Sequence, residues 1–109
     1  MIIIVCQRLL KNTNISGITL FPFIFLKKSE YLQNRILINH EKIHIRQQME
    51  LLVLPFYIWY LTEYYIKYLK YRNPDRAYRN ISFEREAYTN EHNSDYLKRR
   101  QFWSFLKYI

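Results

Sequence analysis

The sequence predicts a single α+β domain over residues 1–109, mainly helical, with two helices packed beside a short edge β-strand or hairpin. Three observations carry this. One glycine and three prolines in 109 residues favour long elements over many short strands. Half of the residues are apolar and 18% are aromatic, enough to offset the entropy of ordering one core but, at this length, not two. A run of aromatic and branched residues from Ile18 to Leu26 precedes the apolar pattern of a helix that carries His40-Glu41-Lys42-Ile43-His44.

Taken in order, Ile2 to Leu10 is a buried strand or the first turns of a helix, and over so short a run periodicity does not choose. Lys11-Asn12-Thr13-Asn14 is a polar turn, and Ser16-Gly17 leads into the next apolar segment. Ile18 to Leu26 ends at Lys27-Lys28 and reads as a strand. Pro22 cannot donate to a central ladder, which puts this strand at an edge or gives it a bulge; the alternative is a core strand or hairpin arm. A long helix begins between Tyr31 and Arg35, leads Ile36-Leu37-Ile38 into His40, and continues to about Leu54, where Pro55 stops or kinks it.

From Leu51 to Thr62, twelve residues carry no charge. A bilayer span needs roughly 20, so the first reading is a buried or membrane-surface helix and the second a tilted span through 51–69. Trp59 and its neighbouring tyrosines suit core packing or a membrane interface. Lys70-Tyr71-Arg72-Asn73-Pro74-Asp75 reads as a loop, followed by a short helix through Arg76 to Tyr78. Asn80 or Ser82 caps a helix containing Phe83-Glu84-Arg85-Glu86-Ala87-Tyr88, with Glu84 in the first turn, where the helix dipole favours a carboxylate. After Asn93-Ser94-Asp95 a last amphipathic helix runs to the C-terminus, with Lys98-Arg99-Arg100 on a solvated face.

The net charge is +8, from 17 basic and 9 acidic side chains, with the basic ones spread from Arg8 to Lys107. A spread charge suits solubility or an anionic membrane surface. Nucleic acid is disfavoured, because the sequence has no recognition-helix cluster, zinc-knuckle spacing or aromatic ribonucleoprotein motif. The single cysteine, Cys6, cannot form an internal disulfide, and the brief apolar start is a poor signal peptide. The expected location is the cytoplasm or the cytoplasmic face of a membrane.

The chemistry centres on two of the three histidines. On a helix, His40 and His44 lie about 40° apart on one face, one turn from each other, the spacing at which two imidazoles share a zinc ion. Glu41 projects close to that face, where it can take a proton from a water that the metal activates. A catalytic zinc keeps three protein ligands and one open position. Glu50, the ligand position of the metzincin pattern, lies about 240° from His44, and Gln47 replaces the glycine that would turn the chain there, so Glu50 is excluded. His92 lies in a polar segment with no accompanying signature. Of the two later glutamates, Glu86 reads as a salt-bridging surface residue. Glu84 shares its face with Ala87 and Tyr88, and the small Ala87 allows a second helix to approach closely.

HExxH followed by a helix reading Glu-x-x-Ala resembles the gluzincin class of zinc metallopeptidases at minimal-core size, over roughly Gly17 to Tyr88. The chain is also similar to short bacterial proteins that share the His-Glu-x-x-His-x-x-Gln-Gln core. The resemblance implies zinc held by His40, His44 and Glu84, Glu41 as the catalytic base, and a peptide or protein substrate laid along the Ile18-to-Leu26 edge. The class usually carries Asp or Asn four residues after the ligand glutamate to orient a histidine. Tyr88 stands there, and is the candidate for that orienting role or for stabilising the oxyanion. A reading from another class is a non-catalytic, membrane-associated helical protein that keeps the metallopeptidase fold and binds a partner.

Overall fold

The apolar start of the chain divides into a strand and a helical turn, but the strand is not the buried one expected, since Ile2, Ile4 and Val5 are exposed at the edge of the sheet. In the computed structural model, which describes every residue except Met1, Asn12 and Asn14, a strand β1 (Ile2–Val5) is followed by a single helical turn α1 (Gln7–Leu10). Of the polar turn expected from Lys11 to Asn14, Asn12 and Asn14 lie outside the described residues, as does Met1 at the apolar start. The run from Ile18 to Leu26 is not one strand. Phe21 and Pro22 turn the chain, and β2 (Gly17–Leu20) pairs antiparallel with β3 (Phe23–Leu26). Proline has no N–H for a ladder, so it stands in the turn rather than in either strand. β1 lies parallel against the other side of β3, giving the order β1-β3-β2 with β2 at an edge. Ile24 and Leu26 point together from β3 and form a small core with Ile45.

After a 3-10 turn at Ser29–Gln33, α2 (Arg35–Leu51) starts from Asn34, whose side chain accepts from the Leu37 amide. α2 stops three residues short of the expected Leu54. Leu52 takes φ 67°, and α3 (Val53–Tyr71) begins at once with Pro55 in its first turn. A helix continued through Pro55 would drive its ring against the carbonyl of Leu51. With the break at Leu52, the proline occupies a position whose N–H has no partner to lose. The left-handed backbone at Leu52 costs about 1–3 kcal/mol, which surrounding packing must offset.

No helix among the described residues is long and apolar enough to cross a membrane, which removes the tilted span through 51–69. The loop expected from Lys70 to Asp75 shrinks to two residues. Arg72 closes α3 in the left-handed conformation, and Asn73 caps α4 (Pro74–Arg79), which has Pro74 at its first position.

The start of α5 (Ser82–Asn90) also departs from expectation, since its cap residue is Ile81 and neither Asn80 nor Ser82 serves. The cap comes from another helix. The Glu63 carboxylate on α3 accepts from the Ser82 amide at 3.0 Å and from the Ser82 hydroxyl, fixing the start of α5 where the dipole favours negative charge. Phe56, Ile81, Phe83 and Phe105 form the second core between α3, α5 and the C-terminal segment, with Trp59 and Tyr60 packed on it.

The C-terminal helix breaks up. α6 (Tyr96–Arg99) is a single turn, Arg100 is extended, and a 3-10 turn covers Ser104–Tyr108. Arg100 is buried, not solvated beside Lys98 and Arg99, and Glu86 is buried rather than at the surface. The guanidinium donates to Glu50 at 2.7 and 3.0 Å and to Glu86 at 2.5 and 3.2 Å. Holding that fork between α2 and α5 pulls the chain out of helix at Arg100.

Candidate metal centre

α2 buries a polar face: His40, Glu41, His44, Gln47 and Gln48. A buried polar group left without a partner costs about 1–3 kcal/mol. None is left so, since every buried side-chain nitrogen and oxygen among the described residues has a hydrogen-bond partner.

His40 Nε2 and His44 Nε2 lie 3.2 Å apart, and Glu84 Oε1 is 3.0 Å from the first and 3.1 Å from the second. The three residues form a buried group that can hold a metal ion. Tetrahedral bonds of about 2.0–2.1 Å place ligand atoms about 3.3 Å apart. The separations found are within a few tenths of an ångström of that value.

The outer nitrogens decide which imidazole atoms are free. His40 Nδ1 is 2.7 Å from Glu91 Oε2, and an ionised carboxylate only accepts, so this nitrogen carries the proton. Gln47 donates its amide to the Phe83 carbonyl at 3.1 Å and to Glu86 Oε1 at 3.0 Å, which turns its oxygen to His44 Nδ1 at 2.7 Å. In the neutral ring, each histidine therefore keeps its lone pair on Nε2, facing its partner and Glu84. Tyr60 donates to Glu84 Oε2 at 2.7 Å and leaves Oε1 for the shared point.

Burial pulls the pKa of His44 down, but the charge and hydrogen bond of Glu84, helped by Glu41, outweigh it and raise it to about 9. For Glu84, burial pushes upward and is overcome by His44 and His40, which hold the carboxyl well below its usual range. At neutral pH the group therefore holds a proton that a metal ion must displace.

Glu41 stands apart from the ligand group. Thr19 Oγ1 on β2 donates to Glu41 Oε2 at 2.9 Å. The other oxygen faces Gly17, where an added Cβ would come within 3.3 Å of Glu41 Oε1 and 3.2 Å of Leu26 Cδ2. The only glycine of the chain sits where the α2 carboxylate crosses the edge strand. Farther along β2, Gln48 accepts from the Phe21 amide at 2.7 Å and donates to the Thr19 carbonyl at 2.9 Å, and Tyr57 donates to that carbonyl at 2.6 Å. The outer edge of β2 is thus occupied towards Leu20, while Ile15 to Thr19 line the cleft.

This cleft is about 850 Å³, with His40, Glu41, His44 and Glu84 in its lining together with tyrosines of α3, α4 and α5. Burial, then the charge of Glu84, push the Tyr60 and Tyr78 phenols upward, so both stay protonated donors. Tyr88 does not reach an imidazole nitrogen. Its ring lies edge-on to His40 with centroids 4.5 Å apart, and its hydroxyl donates to Tyr78 at 3.1 Å. The orienting acceptor expected of Tyr88 is instead Glu91. His92 is exposed on the turn after α5, and Glu50 belongs to the Arg100 pair.

Glu91, Gln47, Tyr60 and Thr19 are the participants that the sequence reading did not assign. A signal existed for Glu91: seven residues after Glu84, two helical turns on, it falls within about 20° of the same face. Glu91→Ala is expected to weaken metal binding about 10- to 100-fold, measured by competition against a chelator. An unchanged affinity would remove the orienting role. Compared with protein-family models, curated proteins and solved structures, the chain matches none.

Proposed function

We propose that the chain is a gluzincin-type zinc metallopeptidase that hydrolyses a peptide bond in the cleft beside His40, His44 and Glu84. The observation that carries this reading is the convergence of two Nε2 atoms and one Glu84 oxygen within 3.2 Å of one another, beside a separately anchored carboxylate. Two imidazoles and one carboxylate are a donor set that zinc takes with a fourth position left open. Bound zinc supplies Lewis acidity, lowering the pKa of a water and polarising a carbonyl.

Glu41 takes the proton of that water at Oε1 and returns it to the departing amine. Thr19 holds Oε2 and so limits the carboxylate to one orientation. The substrate is a peptide or protein segment lying against Ile15 to Thr19. The Tyr88–Tyr78 hydroxyl pair borders the same cleft and offers a donor to the carbonyl oxygen as charge develops on it.

The test is the zinc content and affinity of the purified protein against Glu84→Ala. Wild type is expected to bind one ion, and the variant to bind it at least about 100-fold more weakly, since a ligand weighs more than the groups that orient it. Because the His44 proton must leave first, wild-type affinity should fall about tenfold per pH unit as pH drops below about 9. Equal zinc in both proteins, or peptide hydrolysis that survives chelation, overturns the reading.

A further inference from the structure

α3 has two unlike faces. Phe56, Tyr57, Tyr60, Glu63 and Tyr64 face the core or the cleft. On the other side Leu54, Ile58, Leu61 and Tyr65 are 71, 59, 61 and 63% exposed, and Leu69 continues the row. On a helix these five residues fall within about 80° of arc and span about 22 Å. No charged residue lies within that arc. Lys67 falls roughly 160° from Tyr65, and Glu63, the single acid of α3, is buried on the capped end of α5. A continuous exposed apolar row of this kind marks a surface that meets something other than water.

The charge distribution says what it meets. Glu41, Glu63, Glu84 and Glu86 are buried, and Glu50 is closed in by Arg100. Arg100 is the one buried lysine or arginine among the described residues, and His40 and His44 are not counted in the formal charge. The solvent-facing excess of positive charge is therefore larger than the formal +8. Just past the row the cap residue Arg72 is exposed; Lys70, also exposed, lies about 100° round the helix from Leu69, and Tyr65 and Tyr68 stand within or beside the row. Long basic side chains and amphipathic phenols are the groups that settle among lipid headgroups. A second copy of the chain would bring an equally basic surface to the contact, and two heptads of seam are fewer than a stable coiled coil uses.

We propose that α3 docks this face on an anionic lipid surface, lying in the plane of the headgroups without crossing the bilayer. Leu61 and Tyr68 neighbour Tyr57 and Tyr64 around the helix, so the cleft opens alongside the docked face. Docking is independent of whether the cleft holds zinc.

Co-sedimentation with vesicles tests this, using phosphatidylcholine alone and an equal mixture with phosphatidylglycerol. Wild type is expected to pellet with the mixed vesicles and to release as salt is raised. The double change Ile58→Glu with Leu61→Glu should lower partitioning at least about 100-fold while leaving the far-ultraviolet circular dichroism unchanged, because both side chains are exposed. Lys70→Glu with Arg72→Glu should lower binding to the mixed vesicles while leaving the apolar row intact. Equal pelleting of wild type and the Ile58/Leu61 variant, or none of wild type with either vesicle, overturns the proposal. So does a wild-type dimer in vesicle-free buffer that this variant makes monomeric, without lipid binding by either.

Discussion

Replacing Arg100 by methionine is expected to lower folding stability by about 3–5 kcal/mol, read as a shift in denaturant midpoint. The side chains of Arg100 and Glu86 are fully buried and that of Glu50 nearly so, and the guanidinium is the only cation between the two carboxylates. Methionine fills much of the space but leaves both carboxylates to lose their charge or draw in water. A domain of this size has on the order of 5–15 kcal/mol in total, so the loss is a large fraction and should lower the melting temperature by roughly 15 °C or more. The effect should reach the metal centre, because Glu86 also accepts from Gln47, whose oxygen faces His44 Nδ1. Lys98→Met is the control. Its partner Asp95 is 4.0 Å away and both are exposed, so its midpoint should match wild type. If Arg100→Met also matched wild type, the network would not hold the C-terminal segment.

Under the proposed metallopeptidase function, Glu41→Gln is expected to reduce peptide hydrolysis by about 10²- to 10⁴-fold, with zinc content unchanged. The amide keeps the shape of the carboxylate and can still accept from Thr19 through its oxygen, so α2 and β2 stay joined. What it loses is the capacity to take a proton at the oxygen beside Gly17. The loss should fall on kcat and kcat/KM together, as for a group that acts in the transition state. Activity within tenfold of wild type would assign the base elsewhere. Glu41 stands outside the group of His40, His44 and Glu84, so retained zinc with lost activity separates its role from theirs.

The mainly helical α+β class was legible in the sequence, because long apolar-periodic segments and a scarcity of glycine are local properties. Pro22 was legible as a residue that cannot sit inside a ladder, but it was read as marking an edge strand or a bulge, and the structure uses it in the turn between β2 and β3. The break at Leu52 was misplaced by three residues because the chain avoids the steric conflict of Pro55 before reaching it. Arg100 and Glu86 were misread for a different reason. Each resembles a surface residue along the chain, and they become buried only through pairings across 50 and 14 residues.

By itself the sequence determined what helical geometry dictates: two imidazoles and a carboxylate on one face of α2, and Glu84 in the first turn of a later helix beside a small alanine. The tertiary structure decided everything that depends on contact between segments distant in the chain. It brought Glu84 to the histidines, placed Glu91 and Gln47 on their outer nitrogens, and set Thr19 against Glu41. Periodicity specifies which side chains share a face. Which partner each buried polar atom finds depends on how faces from different helices and strands meet.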